Sequence, residues 1–282
     1  MKTSFLLRTA ALAASISFAL PMAAHAHRAW LLPSATVMSG NDPWVTVDAA
    51  ISNDLFYFEH NALRLDGLTV IAPDGKTIAA SNENSGKYRN TFDVELKQAG
   101  TYKLALINDG MSASYKVDGK NKRWRGTADK FANEVPNNAQ DLNVSITHSR
   151  VETFVTAGKP NTAALQAGGK GLELVPLTHP NDLYAGESAN FRFVVNGKPA
   201  ADLEVSVIPG GIRYRDQLNE IRLKTDQDGK FSVKWPTPGM YYISARAGDA
   251  RMEKDNDKGS VGTFAKPLHR MSYAATVEVL KP

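Results

Sequence analysis

Ala189-Asn190-Phe191-Arg192-Phe193-Val194-Val195-Asn196-Gly197-Lys198-Pro199 is the stretch that decides the fold. A run of aromatic and β-branched residues of strand length stops at Asn-Gly. That pair tolerates positive φ at both centres of a tight turn, so the segment reads as a strand folding back on itself. Working outward, residues 203–208, 239–245 and 273–279 carry the same code, and 221–225 and 230–235 flank Asp226-Gln227-Asp228-Gly229, which reads as a further hairpin. Upstream, residues 45–51, 63–65, 68–71, 91–96, 100–107 and 141–146 alternate or run apolar, with Pro73-Asp74-Gly75 as a turn between two of them. The predicted fold is all-β, with two β-sandwich domains and little helix. The first sandwich spans 27–157, and a glycine-rich linker covers 158–171. A smaller immunoglobulin- or transthyretin-like sandwich spans 172–282. No repeat of fixed period argues for a propeller or solenoid.

Residues 1–26 have a basic start at Lys2 and Arg8, an apolar stretch over 10–20 and the small-residue pattern Ala24-x-Ala26. This is the pattern of an export signal peptide, which places the mature chain in the periplasm. Cysteine is absent, which excludes disulfides, thiolate metal sites, a cysteine nucleophile and a lipid-modified cysteine. The 33 basic and 29 acidic residues nearly balance, which gives no argument for nucleic acid. After residue 26 no apolar run approaches the ~20 residues of a membrane helix, so no membrane anchor of its own is predicted.

The six histidines are His25, His27, His60, His148, His179 and His269. Cleavage after Ala26 leaves His27 as the first residue, where the α-amine and the imidazole form a chelate for a borderline metal. Cleavage after Ala24 leaves His25-Ala26-His27, with an imidazole at the third position of a square-planar nitrogen site. His60 follows Glu59 in the cluster Leu55-Phe56-Tyr57-Phe58-Glu59-His60, where apolar residues shield a site reached by an imidazole and a carboxylate. His148 follows the strand ending at Ile146, and converges with His27 if the first and last strands of that sandwich lie together. The candidate metal ligands are therefore His27, His25, His60, Glu59 and His148. His60 and His148 also read as loop histidines that only hydrogen-bond. His179, before Pro180, reads as a turn or interface residue, and His269 as belonging to the other domain.

Catalytic patterns are missing: there is no G-x-S-x-G elbow and no diagnostic serine, histidine and aspartate spacing, so no enzyme is predicted. Asp226-Gln227-Asp228-Gly229 lacks the downstream glutamate of a calcium loop. The basic run Lys120-Asn121-Lys122-Arg123-Trp124-Arg125 reads as a solvated loop.

Gly169-Lys170-Gly171-Leu172-Glu173-Leu174-Val175-Pro176-Leu177-Thr178-His179-Pro180-Asn181, with Gly186-Glu187 and Asn196-Gly197-Lys198-Pro199, resembles the DUF4198 family. The likeness extends through His27-Arg28-Ala29-Trp30-Leu31, Ser149-Arg150-Val151-Glu152-Thr153-Phe154 and Pro238-Gly239-Met240-Tyr241. The family consists of exported bacterial proteins similar to the periplasmic component of nickel and cobalt uptake systems. The resemblance implies a terminal histidine site, here His27 or His25 with His27, that binds a divalent transition metal. Nickel or cobalt is favoured, with copper or zinc as other candidates, and the ion passes to a membrane transporter. Two other readings stay open. One is a copper redox protein built on a histidine brace, which a flat aromatic face from Trp30 or Trp44 around His27 would favour. The other is a structural or adhesive β-sandwich module.

Overall fold

The computed structural model describes residues 27–249 and 261–282. The expected signal peptide and His25 lie outside the described residues. The chain runs through β1 (Arg28–Pro33), β2 (Val37–Met38), β3 (Trp44–Ser52), β4 (Asn61–Ala62), β5 (Leu68–Ile71), β6 (Thr77–Ile78), β7 (Ser81–Ser85) and β8 (Asn90–Glu95). There follow β9 (Gly100–Val117), β10 (Lys120–Gly126), the helix α1 (Ala128–Glu134) and β11 (Gln140–Ala157). The second half holds β12 (Leu172–Pro176), β13 (Ser188–Val195), β14 (Lys198–Pro199), β15 (Glu204–Pro209), β16 (Ile221–Lys224), β17 (Lys230–Lys234), β18 (Gly239–Gly248) and β19 (Leu268–Val279). The fold is all-β, as the alternation predicts.

Among the described residues the strands form three sheets. A five-stranded sheet has the order β1-β3-β8-β7 with β4 beside β3, and a four-stranded sheet has β12-β13-β14 with β17 beside β13. Between them runs a ten-stranded sheet, β16-β15-β18-β19-β11-β9-β5-β6, with β10 on β9 and β2 on β11. The two sandwiches share this long sheet, because β11 pairs antiparallel with β9 and parallel with β19.

Strand alternation sends neighbouring residues to opposite faces, and this sorts the cores. Val151 and Val155 of β11 and Ala274 of β19 join Trp30, Phe92, Tyr102 and Leu104 under the five-stranded sheet. Phe154 of β11 joins Phe191, Phe193, Trp235, Tyr241 and Tyr273 under the four-stranded sheet. The two smaller sheets therefore lie on opposite faces of the long one. The segment between β11 and β12 contains a 3-10 turn, Ala163–Leu165, whose Ala164 and Leu165 are buried.

Each sandwich holds one tyrosine corner, in which a buried tyrosine bonds back to the backbone just upstream. The Tyr102 hydroxyl donates to Gln98 O at 2.9 Å and accepts from Gln98 N at 2.7 Å. The Tyr241 hydroxyl donates to Thr237 O at 2.8 Å. Both tyrosines follow a glycine two residues earlier, Gly100 at φ 138° and Gly239 at φ 136°, where a side chain would strain the backbone.

One local expectation holds and two change. The Asn196-Gly197 turn forms, with φ 49° and 77°, between β13 and β14. The Asp226–Gly229 turn also forms, closed by Gly229 N to Asp226 O at 3.0 Å. It does not make a hairpin, because β16 pairs with β15 and β17 with β13, so the turn arches from one sheet to another. The basic run 120–125 is a strand, with Trp124 facing Phe131 of α1 at 5.2 Å and the other five side chains exposed.

Candidate functional site

β3 builds the site by holding a different strand on each edge. On one edge Arg28 lies opposite Ser52, and on the other Asn61 lies opposite Ile51. His27 and His60, one residue before β1 and β4, are thus carried to the same end of β3. Their rings stack with centroids 3.7 Å apart and planes 10° from parallel. The returning loop 53–60 is pinned from within. Trp30, fully buried, donates its Nε1 to Ser52 Oγ at 2.8 Å and packs against Phe56 and Phe58 at 5.5 Å.

Glu59 belongs to this loop, but its Oε1 accepts the backbone N–H groups of Asn53 and Asp54, each at 2.9 Å. Its role here is to close the loop that carries His60. Phe56 sits at φ 65°, a left-handed conformation rare for an aromatic residue. Its ring fills the space beside Gly210, where a Cβ would come within 2.9 Å of Phe56 Cδ2. Tyr57 extends the loop outward, its hydroxyl 2.6 Å from that of exposed Tyr214, with Arg213 over its ring at 4.4 Å.

His148 is not brought to this pair. It lies inside β11 rather than after a strand, and β1 pairs with β3 rather than β11. Alternation places His148 on the face of β11 shared by Arg150 and Glu152, beside Gly171, whereas β1 packs across the opposite face of the same strand. There its Nδ1 lies 2.7 Å from Asp109 Oδ1, and the other oxygen of that carboxylate, Oδ2, binds Lys170 Nζ at 2.5 Å. His269, expected in a separate domain, stacks near it at 6.5 Å, because β19 lies directly alongside β11. Among the described residues no group of three or more histidine, aspartate and glutamate side chains is arranged to hold a metal ion. None of their helices is long and apolar enough to cross a membrane.

The family described as a domain of unknown function, DUF4198, matches residues 24–249. The chain belongs to that family. No curated protein matches it. Among solved structures it is similar to the D0-D1 domain of Intimin at 12% identity and a TM-score of 0.22, over 89% of this chain and 97% of that one. It is similar to trypsin-activated alpha-2-macroglobulin from Escherichia coli at 11% identity and a TM-score of 0.21, over 89% of this chain and 16% of that one. A marsupial T cell receptor gives 11% identity and a TM-score of 0.19, over 86% and 73%.

In this DUF4198 chain the stretch Gly169 to Asn181 does structural work that the sequence reading missed. Glu173, almost fully buried, accepts the backbone N–H groups of Gly168, Gly169 and Lys170 at 2.8, 2.7 and 3.2 Å. Arg150 bridges Glu173 at 3.2 Å and Glu152 at 3.1 Å, and Glu152 also accepts the buried Tyr273 hydroxyl at 2.7 Å. Burial, with the Glu152 carboxylate beside it, raises the tyrosine well above its usual range. The readable signal was a glutamate inside an apolar strand, Leu172-Glu173-Leu174-Val175, since a carboxylate there must find partners.

His179 and Asn181 strap the second sandwich to the first. Asn181 N–H donates to His179 Nδ1 at 3.2 Å, which leaves the ring proton on Nε2, 2.9 Å from Thr101 Oγ1 and 3.3 Å from Asn161 O. The Asn181 side chain binds Thr156 and Phe154 O, both at 2.9 Å. Desolvation lowers the His179 pKa, partly offset by the Asn161 carbonyl and Asp182. The folded pKa thus lies below the unfolded value of about 6.5. As pH falls through that value the unfolded chain takes the proton first, and stability is lost until the folded pKa is passed. Urea unfolding at pH 7.5 and pH 5 is expected to show this loss, and His179→Gln to reduce it while costing about 1–2 kcal/mol at pH 7.5 through a lost hydrogen bond. An unchanged pH slope in the variant would contradict a neutral buried imidazole.

Proposed function

We propose that this protein is a periplasmic binding protein for a divalent transition metal of the nickel and cobalt class, which it holds outside the cytoplasmic membrane and passes to a membrane transporter. The observation that carries the reading is the contact of His27 and His60 at 3.7 Å. When export leaves His27 first, its α-amine adds a third nitrogen beside the two imidazoles. Three nitrogen donors suit borderline divalent ions. They leave coordination positions free, which fits release to a partner and requires no covalent chemistry.

Stacked rings aim their lone pairs in parallel, so sharing one ion requires them to splay. His27 is exposed and precedes the β1 ladder, so its ring turns without breaking a strand hydrogen bond. Glu59 stays with its two backbone donors, and His148 lies across the sheet, so neither belongs to this set.

A copper redox protein is the second reading, favoured by the same amine and imidazole donors. The aromatic face sought for it does not come from the tryptophans. Trp30 is fully buried, and Trp44 stands at the far end of β3, about 26 Å away at ~3.3 Å per residue. Exposed Tyr214, with half-buried Tyr57 beside it, remains in its favour.

The test is the native mass of the exported protein with one equivalent of nickel, cobalt, copper or zinc. Retention of one nickel or cobalt ion is expected, on a chain whose mass begins at His27. Retention of copper alone, with ascorbate-driven peroxide production, would replace uptake with redox chemistry. No retained ion would remove both.

A further inference from the structure

Asp118 and Gly119, at φ 50° and 71°, close the tight turn that folds β10 back along β9, from Lys120 opposite Val117 to Gly126 opposite Met111. Beyond β10 the sheet stops, since among the described residues it pairs with β9 alone. An antiparallel strand bonds to its neighbour through alternate residues, and the residues between them aim their N–H and C=O groups the other way. The outer edge of β10 is therefore an open ladder of 7 residues, about 23 Å long at ~3.3 Å per residue.

This edge is fixed in place. Trp124, 8% exposed, packs edge-on against Phe131 of α1 at 5.2 Å and donates its Nε1 to Glu134 Oε2 at 2.7 Å. The helix that follows the hairpin thus holds it from one face, and a strand added to the edge meets a backbone already ordered.

The side chains decide what such a strand carries. Lys120, Lys122, Arg123 and Arg125 are all exposed, and their cross-strand neighbours on β9 are Val117, Tyr115, Ser114 and Ser112, none of them acidic. Of the carboxylates nearby in the chain, Asp118 occupies the turn, Asp141 pairs with Lys116 at 2.8 Å, Glu134 holds Trp124 and Asp129 bonds Thr127. None of the four cations has an ion-pair or hydrogen-bond partner among the described residues. Alternation sets Lys120 and Lys122 on one face and Arg123 and Arg125 on the other, so the positive charge follows the edge rather than converging on a point.

Charges on an edge deter a neutral strand from adding to it. A second copy is deterred more strongly, because β10 against β10 sets cation beside cation. An extended acidic strand meets the reverse situation: its carboxylates lie opposite the four cations while its backbone completes the ladder. Lipid headgroups answer the charge but not the edge, having no peptide repeat. We propose that β10 is a docking strand for an extended acidic segment of a partner protein, which adds to its free edge by main-chain pairing. The proposal does not depend on the metal-binding reading.

Calorimetry and amide hydrogen exchange on the exported protein test it with four probes: a heptapeptide of alternating glutamate and valine, its fully N-methylated counterpart, its lysine counterpart, and vesicles containing phosphatidylglycerol. The glutamate peptide is expected to bind, more weakly as salt rises, and to slow exchange within residues 120–126 at least tenfold. Lys122→Glu with Arg123→Glu, both at exposed positions, should weaken it at least tenfold. If that variant melts early, Lys122→Gln with Arg123→Gln decides instead, with a severalfold loss expected. Equal binding by the N-methylated peptide would reduce the edge to a charged surface and overturn strand pairing. Binding of the lysine peptide as tight as that of the glutamate peptide, or no binding of either, would overturn the proposal. Vesicle binding without peptide binding would assign the strand to a membrane, and exchange slowed only at another edge, such as β7 or β16, would place docking elsewhere; either result overturns it.

Discussion

Arg150→Met is expected to destabilise the protein by about 3–5 kcal/mol, the cost of stripping the counter-ion from a buried ion pair. Arg150 has 11% of its side chain exposed and stands between Glu152 and Glu173, at 2% and 3%. Without it two carboxylates share an apolar interior. Glu173 keeps its three backbone donors and Glu152 keeps the Tyr273 hydroxyl, but neither contact supplies a positive charge. Burying a charge without a partner costs several kcal/mol even after relaxation. The second substitution Glu152→Gln should therefore recover more than half of the loss, because it removes the excess charge while retaining an acceptor for Tyr273. Urea unfolding of the two single variants and the double variant reads the coupling directly. A loss below about 1 kcal/mol for Arg150→Met, or no recovery in the double variant, would show that water or a rearranged side chain neutralises the pair.

Acetylating the α-amine of mature His27, or adding one residue ahead of it, should weaken nickel binding more than tenfold, or about 1.4 kcal/mol. His60→Ala should do the same, since each change deletes one of three nitrogens. The two together leave a single imidazole, and at least a hundredfold loss is expected. His148→Ala, His179→Ala and His269→Ala should leave nickel affinity unchanged, because these residues lie on the other face of the long sheet or in the strap between sandwiches. Titration of these variants by calorimetry separates the sites. A loss confined to His148→Ala and His269→Ala would move the metal to that pair, and unchanged binding after acetylation would remove the terminal amine from the site.

The β code was legible wherever pairing was local. Asn196-Gly197 turned as read because two positive φ values in succession are a property of those residues. The two Gly-x-Tyr corners were legible too, at Gly100 to Tyr102 and Gly239 to Tyr241, but the sequence reading took them only as strand beginnings. Asn108-Asp109-Gly110 has the composition of a turn, yet β9 runs through it, since its ladder with β11 continues on both sides. A long cross-strand ladder outweighs a local turn preference. That ladder is why His148 is a strand residue, and why alternation, rather than a loop, decides which way it points.

From the sequence alone came the all-β class, the absence of cysteine, the expectation of a terminal histidine and the DUF4198 likeness, all of which depend on composition, on short-range period or on residues adjacent in the chain. The tertiary structure alone decided that β11 and β19 merge two sandwiches into one sheet, and that His60 meets His27 while His148 faces away. Those outcomes depend on which strands pair and in what register, and because side chains alternate every residue, a shift of one position exchanges the faces. Register is set by contacts between residues far apart in the chain, such as Arg28 with Ser52 or His148 with Met271, which no local pattern encodes.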